Sequence, residues 1–224
     1  EGGNAQGDRF IIRGFDARGD MFVDGMRDPG VTTREVFSTE QIEIAKGPSS
    51  TFAGRGTTGG AVNSVSKQPQ ASNFTKAGLT LGDDQRVTLD TNRIVNDQLK
   101  VRANLMAQDS EVAGRDEVFD QRYGASLAAD YQFNDQISVL VDYYHLSTDA
   151  MPDRGLPWDT YTNQPAKVDR NNFYGIVGRD FQETGADVFT GTLEAKLSEN
   201  TRISSKTRAG KTTNDYIVST PSNW

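Results

Sequence analysis

Two patterns divide the chain. From residue 73 onward, apolar and polar residues alternate with a period of two. Leu99, Val101, Ala103, Leu105 and Ala107 are interleaved with Lys100, Arg102, Asn104, Met106 and Gln108. Tyr123, Ala125, Leu127, Ala129, Tyr131 and Phe133 are interleaved with Gly124, Ser126, Ala128, Asp130 and Gln132. The same rhythm runs through 75–81, 137–143 and 189–197, and more weakly through 87–91 and 203–209. Successive side chains of a strand point to opposite faces, so this rhythm predicts half-buried antiparallel strands.

The connections sharpen that reading. Short turns at Asn96-Asp97, Asn134-Asp135 and Glu199-Asn200 fall at one end of an up-and-down sheet that starts near residue 74. The longer connections, 110–120 and about 147–186, fall at the other end, together with a short link at Asp83-Asp84. Short turns on one side and long loops on the other are the habit of outer-membrane barrels, whereas a soluble sandwich has no reason to segregate them. Strand-end aromatics such as Tyr123, Tyr131 and Phe133 suit the girdles at a membrane interface. On alternation alone, a secreted β-rich module that binds carbohydrate or protein through the long loop remains the second reading.

Ahead of residue 73 the texture differs. RFIIRG at 9–14 and MFVDG at 21–25 read as short strands, the second ending in an Asp-Gly turn. Residues 15–20 and 26–30 read as polar loops, and 32–41 as moderately helical, with Ser38 or Thr39 as a cap. Ile42-Glu43-Ile44 leads into Lys46-Gly47-Pro48, then a small-residue segment with glycines at 54, 56, 59 and 60, then a strand pattern again at 61–66. A backbone with so few Cβ atoms can take left-handed turns and lie close against another surface.

This last stretch, KGPSSTFAGRGTTGGAVNSVSK, resembles the signature that ends the plug domain of TonB-dependent outer-membrane receptors, and FIIRGF with FVDG resembles the same domain. The likeness covers residues 8–69. It implies a structural plug turn at Gly47, Pro48, Gly54, Gly59 and Gly60. It places Arg13 and Lys46 where plugs ion-pair with barrel glutamates, Lys46 standing where arginine is more usual. Outward-pointing plug loops touch ligand in the family, which implies roles for Arg18, Arg27 and Asp28. The long loop carries MPDRGLPW, NNFYG and RDF, and resembles the third extracellular loop of catecholate-type siderophore receptors. That likeness adds Arg154, Trp158, Tyr161 and Tyr174. Interleaved aromatics and arginines also suit a flat anionic ligand on physical grounds, although the same residues could instead pack the loop on itself.

The resemblance implies a mainly β protein: residues 1–70 as the C-terminal part of an α+β plug, and 71–224 as the first seven or so strands of an antiparallel transmembrane barrel of about 22 strands. The chain then reads as an internal piece of a longer receptor. The implied partners are a ferric siderophore, the TonB–ExbB–ExbD energy-coupling complex, and outer-membrane lipid with lipopolysaccharide. Iron would travel inside the ligand, with no cofactor or metal bound by the protein itself.

Composition narrows what else is possible. A net charge of -7 argues against nucleic acid, whose phosphates need a basic face. The absence of cysteine removes thiol catalysis, disulfides and thiolate metal sites. No apolar run is long enough for a transmembrane helix. Gly54-Arg55-Gly56-Thr57-Thr58-Gly59 satisfies the dinucleotide fingerprint, but it neither follows a strand nor opens a helix. The sole histidine, His145, has no metal-spaced partner, and the carboxylates suggest no acid–base pair, so no catalytic residue is named.

Overall fold

The computed structural model describes residues 10–16, 20–28, 34–47 and 59–221. Two small hairpins open it. β1 (Ile11–Ile12) pairs with β2 (Phe15–Asp16), and β3 (Met21–Val23) pairs with β4 (Met26–Arg27). Each turns on two residues with positive φ, Arg13 and Gly14 in the first, Asp24 and Gly25 in the second. Two left-handed residues make the turn whose twist matches that of the flanking strands. The loops expected at 15–20 and 26–30 therefore begin as strand, because these turns need only two residues.

β5 (Thr39–Lys46) and β6 (Gly60–Ser66) complete a four-stranded sheet in the order β4-β3-β6-β5. Of the helical turn expected across 32–41, none is formed among the described residues 34–41. Residues 34–36 have no regular secondary structure, 37–38 turn, and Thr39 already pairs with Ser66. Pairing with β6 overrides a modest local helix preference.

A second sheet has seven antiparallel strands, β7 (Phe74–Thr80), β8 (Asp84–Ile94), β9 (Leu99–Glu111), β10 (Phe119–Gln132), β11 (Ile137–Ala150), β14 (Phe181–Lys196) and β15 (Arg202–Ile217). Neighbours in sequence are neighbours in the sheet, with only the hairpin β12 (Trp158–Asp159) and β13 (Gln164–Pro165) interposed. The seven stretches of alternating sequence are these seven strands. Three turns at one end share one geometry: Val95 N–H donates to the Leu99 carbonyl, Phe133 to Ile137, and Leu197 to Thr201. In two of them an asparagine side chain, Asn96 or Asn134, also accepts backbone N–H groups two and three residues on.

The expected loop at about 147–186 is narrower, 151–180, because β11 and β14 run further than the alternation does. The register explains why. Asp109, Gln121, Asp149, Glu183 and Asp215 form one row across five strands, beyond the apolar part of the sheet. There the outward residues are polar and mostly exposed, while the inward ones, Thr148, Gln182 and Thr184, are polar and buried, so hydrogen bonding persists without apolar–polar alternation.

The sheet is turned inside out relative to a soluble protein. Leu79, Leu81, Leu127, Phe189 and Ile203 are at least half exposed. Asn92, Arg102, Asn104, Thr148 and Thr190 are buried. An apolar band facing outward and a polar face turned inward is the pattern of a strand wall in lipid. Tyr123 and Phe133 sit exposed near opposite ends of β10, with Tyr131 and Phe133 edge to face at 4.7 Å. Among the described residues no helix is long and apolar enough to cross a membrane.

The small sheet covers the polar face. The apolar cluster at that junction joins Phe37, from the segment ahead of β5, to Met106, Leu146 and Ala186 of the wall, with Tyr144 stacked on Phe37 at 5.7 Å. Phe37 reaches the wall because position 124 is glycine; a Cβ there would stand 2.5 Å from its ring.

The glycine turn shows the same economy. Gly47 N–H donates to the Gly59 carbonyl at 2.9 Å, and Gly47 and Gly60 have φ of 97° and 145°. A Cβ on Gly59 would meet the Ile12 carbonyl at 2.5 Å, and one on Gly60 would collide with the Ala45 carbonyl. Pro48 and Gly54, also assigned to this turn, lie outside the described residues. Gly59→Val and Gly60→Val are expected to loosen the small sheet while leaving the wall intact, the left-handed strain at residue 60 alone costing roughly 1–3 kcal/mol. In the full-length protein, residues 10–66 should become protease-sensitive with unchanged heat-modifiable gel mobility. Wild-type protease resistance in both variants would contradict this account.

Candidate functional site

Three ionic ties fasten the small sheet to the wall, each at a different height. Toward the outer ends of β8 and β10, Glu35 lies between Arg86, at 2.7 Å, and Arg122, at 2.5 Å. Arg122 also holds Asp120, and Arg86 donates to Gln108. Mid-wall, Asp24 accepts the backbone N–H and hydroxyl of Ser66 and faces Arg208 at 3.6 Å, while Lys206 donates to its carbonyl at 2.7 Å. Lower down, Arg102 is buried and forms a two-pronged pair with Asp90, both bonds 2.9 Å, and reaches Glu40 at 2.9 Å. Lys67 joins Asp90 at 3.2 Å. A cavity of about 130 Å³ lies between sheet and wall, lined in part by Glu35, Asp142, Tyr144 and Arg208.

Burial alone would push the Glu35 carboxyl up. The hydrogen bonds and charges of Arg86 and Arg122 outweigh that and hold it below the usual carboxylate range.

The long loop is ordered by its own polar contacts. Asp159 caps the tip of the β12–β13 hairpin, accepting from the Thr162 hydroxyl at 2.7 Å and from Tyr161 N–H at 2.8 Å; these bonds lower its pKa. Trp158, opposite Pro165 in the hairpin, is 44% exposed, and Tyr161 at the tip is 93% exposed. Asp180, buried where the loop enters β14, accepts from the backbone and hydroxyl of Ser219 and from Ile176 N–H. Arg115, on the 112–118 connection, forms a two-pronged pair with Asp153 and donates to the Arg170 carbonyl.

The family model for the TonB-dependent receptor plug domain matches residues 1–61. The probable TonB-dependent siderophore receptor PiuA of Acinetobacter baumannii is 33% identical over 99% of this chain, which covers 31% of that protein. The catecholate siderophore receptor Fiu of Escherichia coli K12 is 32% identical over 97% of the chain, covering 30% of its own length. The crystal structure of Fiu in its closed form superposes with a TM-score of 0.87 over 97% of this chain and 33% of that one. PiuA superposes at 0.85 over 96% of this chain and 32% of that one. The chain belongs to the TonB-dependent receptor family. It spans about a third of the length of these relatives. The inverted seven-stranded sheet is thus wall from an outer-membrane receptor barrel, and the small sheet belongs to its plug.

With the receptor frame in place, the sequence-assigned residues fall into groups. Arg18 lies outside the described residues. Arg27 is exposed and pairs with Asp20 at 3.0 Å; Asp28 accepts from Arg34 at 3.0 Å beside the cavity. Both are thus engaged within the plug. Arg154 is exposed and has no hydrogen-bond or ion-pair partner among the described residues. Trp158 and Tyr161 project from the hairpin, whereas the Tyr174 hydroxyl donates to the Asp169 carbonyl at 2.7 Å and serves loop packing. Arg13 adopts φ 54°, and its guanidinium lies near Gly47. Lys46 is exposed and pairs through its backbone with Gly60. Neither has an ion pair among the described residues.

The ties that do form run with the opposite polarity, receptor plug carboxylates Asp24, Glu35 and Glu40 to wall cations. Sequence reasoning missed them, along with Phe37, Arg115 and Asp180. A signal existed for some. Arg86, Arg102, Arg122, Lys206 and Arg208 all have even numbers, the inward phase of their strands. Repeated cations on a face that must be buried require acidic partners from whatever covers it.

Folding lowers the Glu35 pKa, so the stability it supplies is complete above the ordinary value of 4.5 and is lost as pH falls through the lower folded value. Protease protection of the plug should decline below pH 4.5 in the wild-type receptor. Glu35→Gln should flatten this component, and Glu35→Ala should weaken plug seating by roughly 3 kcal/mol, the low end for breaking a buried pair. Limited proteolysis across a pH series reads both. An unchanged acid profile in Glu35→Gln would remove Glu35 from the role.

Proposed function

We propose that this chain comes from a receptor that takes up a ferric siderophore, of the catecholate type, across the bacterial outer membrane. The observation that carries the reading is the long outer loop, which presents Arg154 and, on a braced hairpin, Trp158 and Tyr161 to solvent above an inverted sheet. Exposed aromatic faces and a cation without a partner among the described residues suit an anionic complex with flat rings. The names of Fiu and PiuA, receptors for a catecholate siderophore and a siderophore, support the ligand class. Uptake would draw on the TonB–ExbB–ExbD complex, and iron would enter as part of the ligand, so the receptor is assigned transport and no catalysis. Lipid and lipopolysaccharide would meet the outward apolar band.

We place the plug in residues 1–70 and the first barrel strands in 71–224. Support comes from the 68–73 linker, which Asn92 of the wall holds by accepting from Gln70 N–H and donating to the carbonyls of Gln70 and Ser72. Arg13 and Lys46 remain proposed partners of barrel carboxylates beyond the chain. Arg18, Arg27 and Asp28 remain proposed plug contacts to ligand, and Tyr174 a proposed loop contact.

Each charge-assisted contact contributes roughly 1.5–3 kcal/mol. In the full-length receptor, Arg18→Ala/Arg154→Ala should therefore bind the iron(III) complex of a synthetic tris-catechol at least about tenfold more weakly, with unchanged outer-membrane abundance. Equilibrium titration of purified receptor measures it. Affinity within twofold of wild type would take both arginines out of the site. A receptor that binds a ferric hydroxamate or a cobalamin and no ferric catecholate would overturn the ligand class.

A further inference from the structure

We propose that Arg115 is the positioning residue of the ligand loop, a clamp that closes residues 153–170 into one preformed binding surface; this rests on the reading of that loop given above. The clamp is largely buried: the Arg115 side chain is 14% exposed, and that of Asp153 is 16% exposed. Its Nε and Nη2 donate to the two Asp153 oxygens at 2.8 and 2.7 Å, and its Nη1 donates to the Arg170 carbonyl at 2.7 Å. One planar guanidinium thereby fixes two points 17 residues apart, 170 minus 153. The next residue adds a parallel tie, Asp116 N–H to the Asn171 carbonyl at 2.7 Å.

Both ends of the clamp have a rigid footing. Met151 N–H donates to the Phe119 carbonyl at 3.0 Å, so the chain leaves the β10–β11 ladder only two residues before Asp153. Asp153 Oδ1 also accepts from Gly155 N–H at 2.8 Å, which sets the backbone on both sides of Arg154. On the other side, Arg115 N–H donates to the Val112 carbonyl, and Gly114, at φ 69°, lets the short connection turn beneath Asn171. Between the fixed points stand Arg154 and the hairpin that carries Trp158 and Tyr161. A free 17-residue segment would sample many closures, and a ligand would have to order it. The clamp removes that cost before binding. Lysine cannot replace it, because an ammonium has no fixed fork with which to span a carboxylate and a carbonyl at once.

Pulsed electron paramagnetic resonance on the full-length receptor tests this, with spin labels at Gln85→Cys on the wall and Lys167→Cys on the loop. Both positions are exposed and outside the clamp. A single narrow distance is expected in the parent, a broad distribution in Arg115→Ala, and an intermediate one in Arg115→Lys. Binding of the iron(III) tris-catechol complex should weaken about tenfold in Arg115→Ala, and Arg115→Ala/Asp153→Ala should be no weaker than the single variant, since the two residues act as one unit. Narrow distances in both Arg115 variants would overturn the clamp whatever the affinities. Broad distances with unchanged affinity would uphold the clamp as a loop brace and overturn the loop as a ligand surface. Heat-modifiable mobility confirms that each variant is folded, and Asp153→Asn serves as the second variant if Arg115→Ala is not inserted.

Discussion

Everything in this structure depends on how the polar inner face of the wall is satisfied. The apolar face of each strand is turned outward, which leaves Arg86, Arg102, Asn104, Arg122 and Arg208 pointing inward. A buried guanidinium without a partner would cost several kcal/mol. The plug supplies the partners. Glu35, Asp24 and Glu40 meet the wall at three heights, and Phe37 adds the apolar contact among them. Phe37 has a place to go only because residue 124 has no side chain. Plug and wall thus complete one another chemically.

Such a junction differs from a soluble core in a way that bears on the proposed transport. Oil-like packing releases only when large surfaces separate, whereas charged bonds lined by a polar cavity can be exchanged for water one at a time. Asp142 and Tyr144 of the wall and Glu35 of the plug border that cavity. On the proposed reading, a plug held mainly by ions would be firmly placed at rest and would still yield to a pull from within the cell. The outer loop follows a different rule. Asp159, Asp180 and Arg115 order it by internal hydrogen bonds, so its aromatic residues stand free.

Much of the fold was legible in the residues. Alternation identified all seven wall strands, and turn chemistry located the inner turns, because a strand between lipid and a polar interior imprints its two faces directly on the sequence. The glycines at 59 and 60 announced a close approach that the Ile12 and Ala45 carbonyls supply. Strand ends were misjudged where both faces carry polar residues, as in β11 and β14. The segment ahead of β5 misled for the opposite reason: local preference there is weak, and pairing between Thr39 and Ser66 decides its form.

The candidate site was less legible. Trp158, Tyr161 and Arg154 stand exposed as an arginine-and-aromatic loop suggested, yet Tyr174 is turned to loop packing, and the residues that brace the loop carried no local sign. What the sequence determined alone was periodic: which strands exist, which face of each is apolar, and which backbone positions tolerate no side chain. What only the tertiary structure decided was pairing between distant residues. Glu35 meets Arg122 across 87 positions, and Arg115 meets Arg170 across 55. The physical reason is that burial on a sheet face is a property of each residue in turn, whereas an ion pair belongs to two residues that only the folded chain brings within reach.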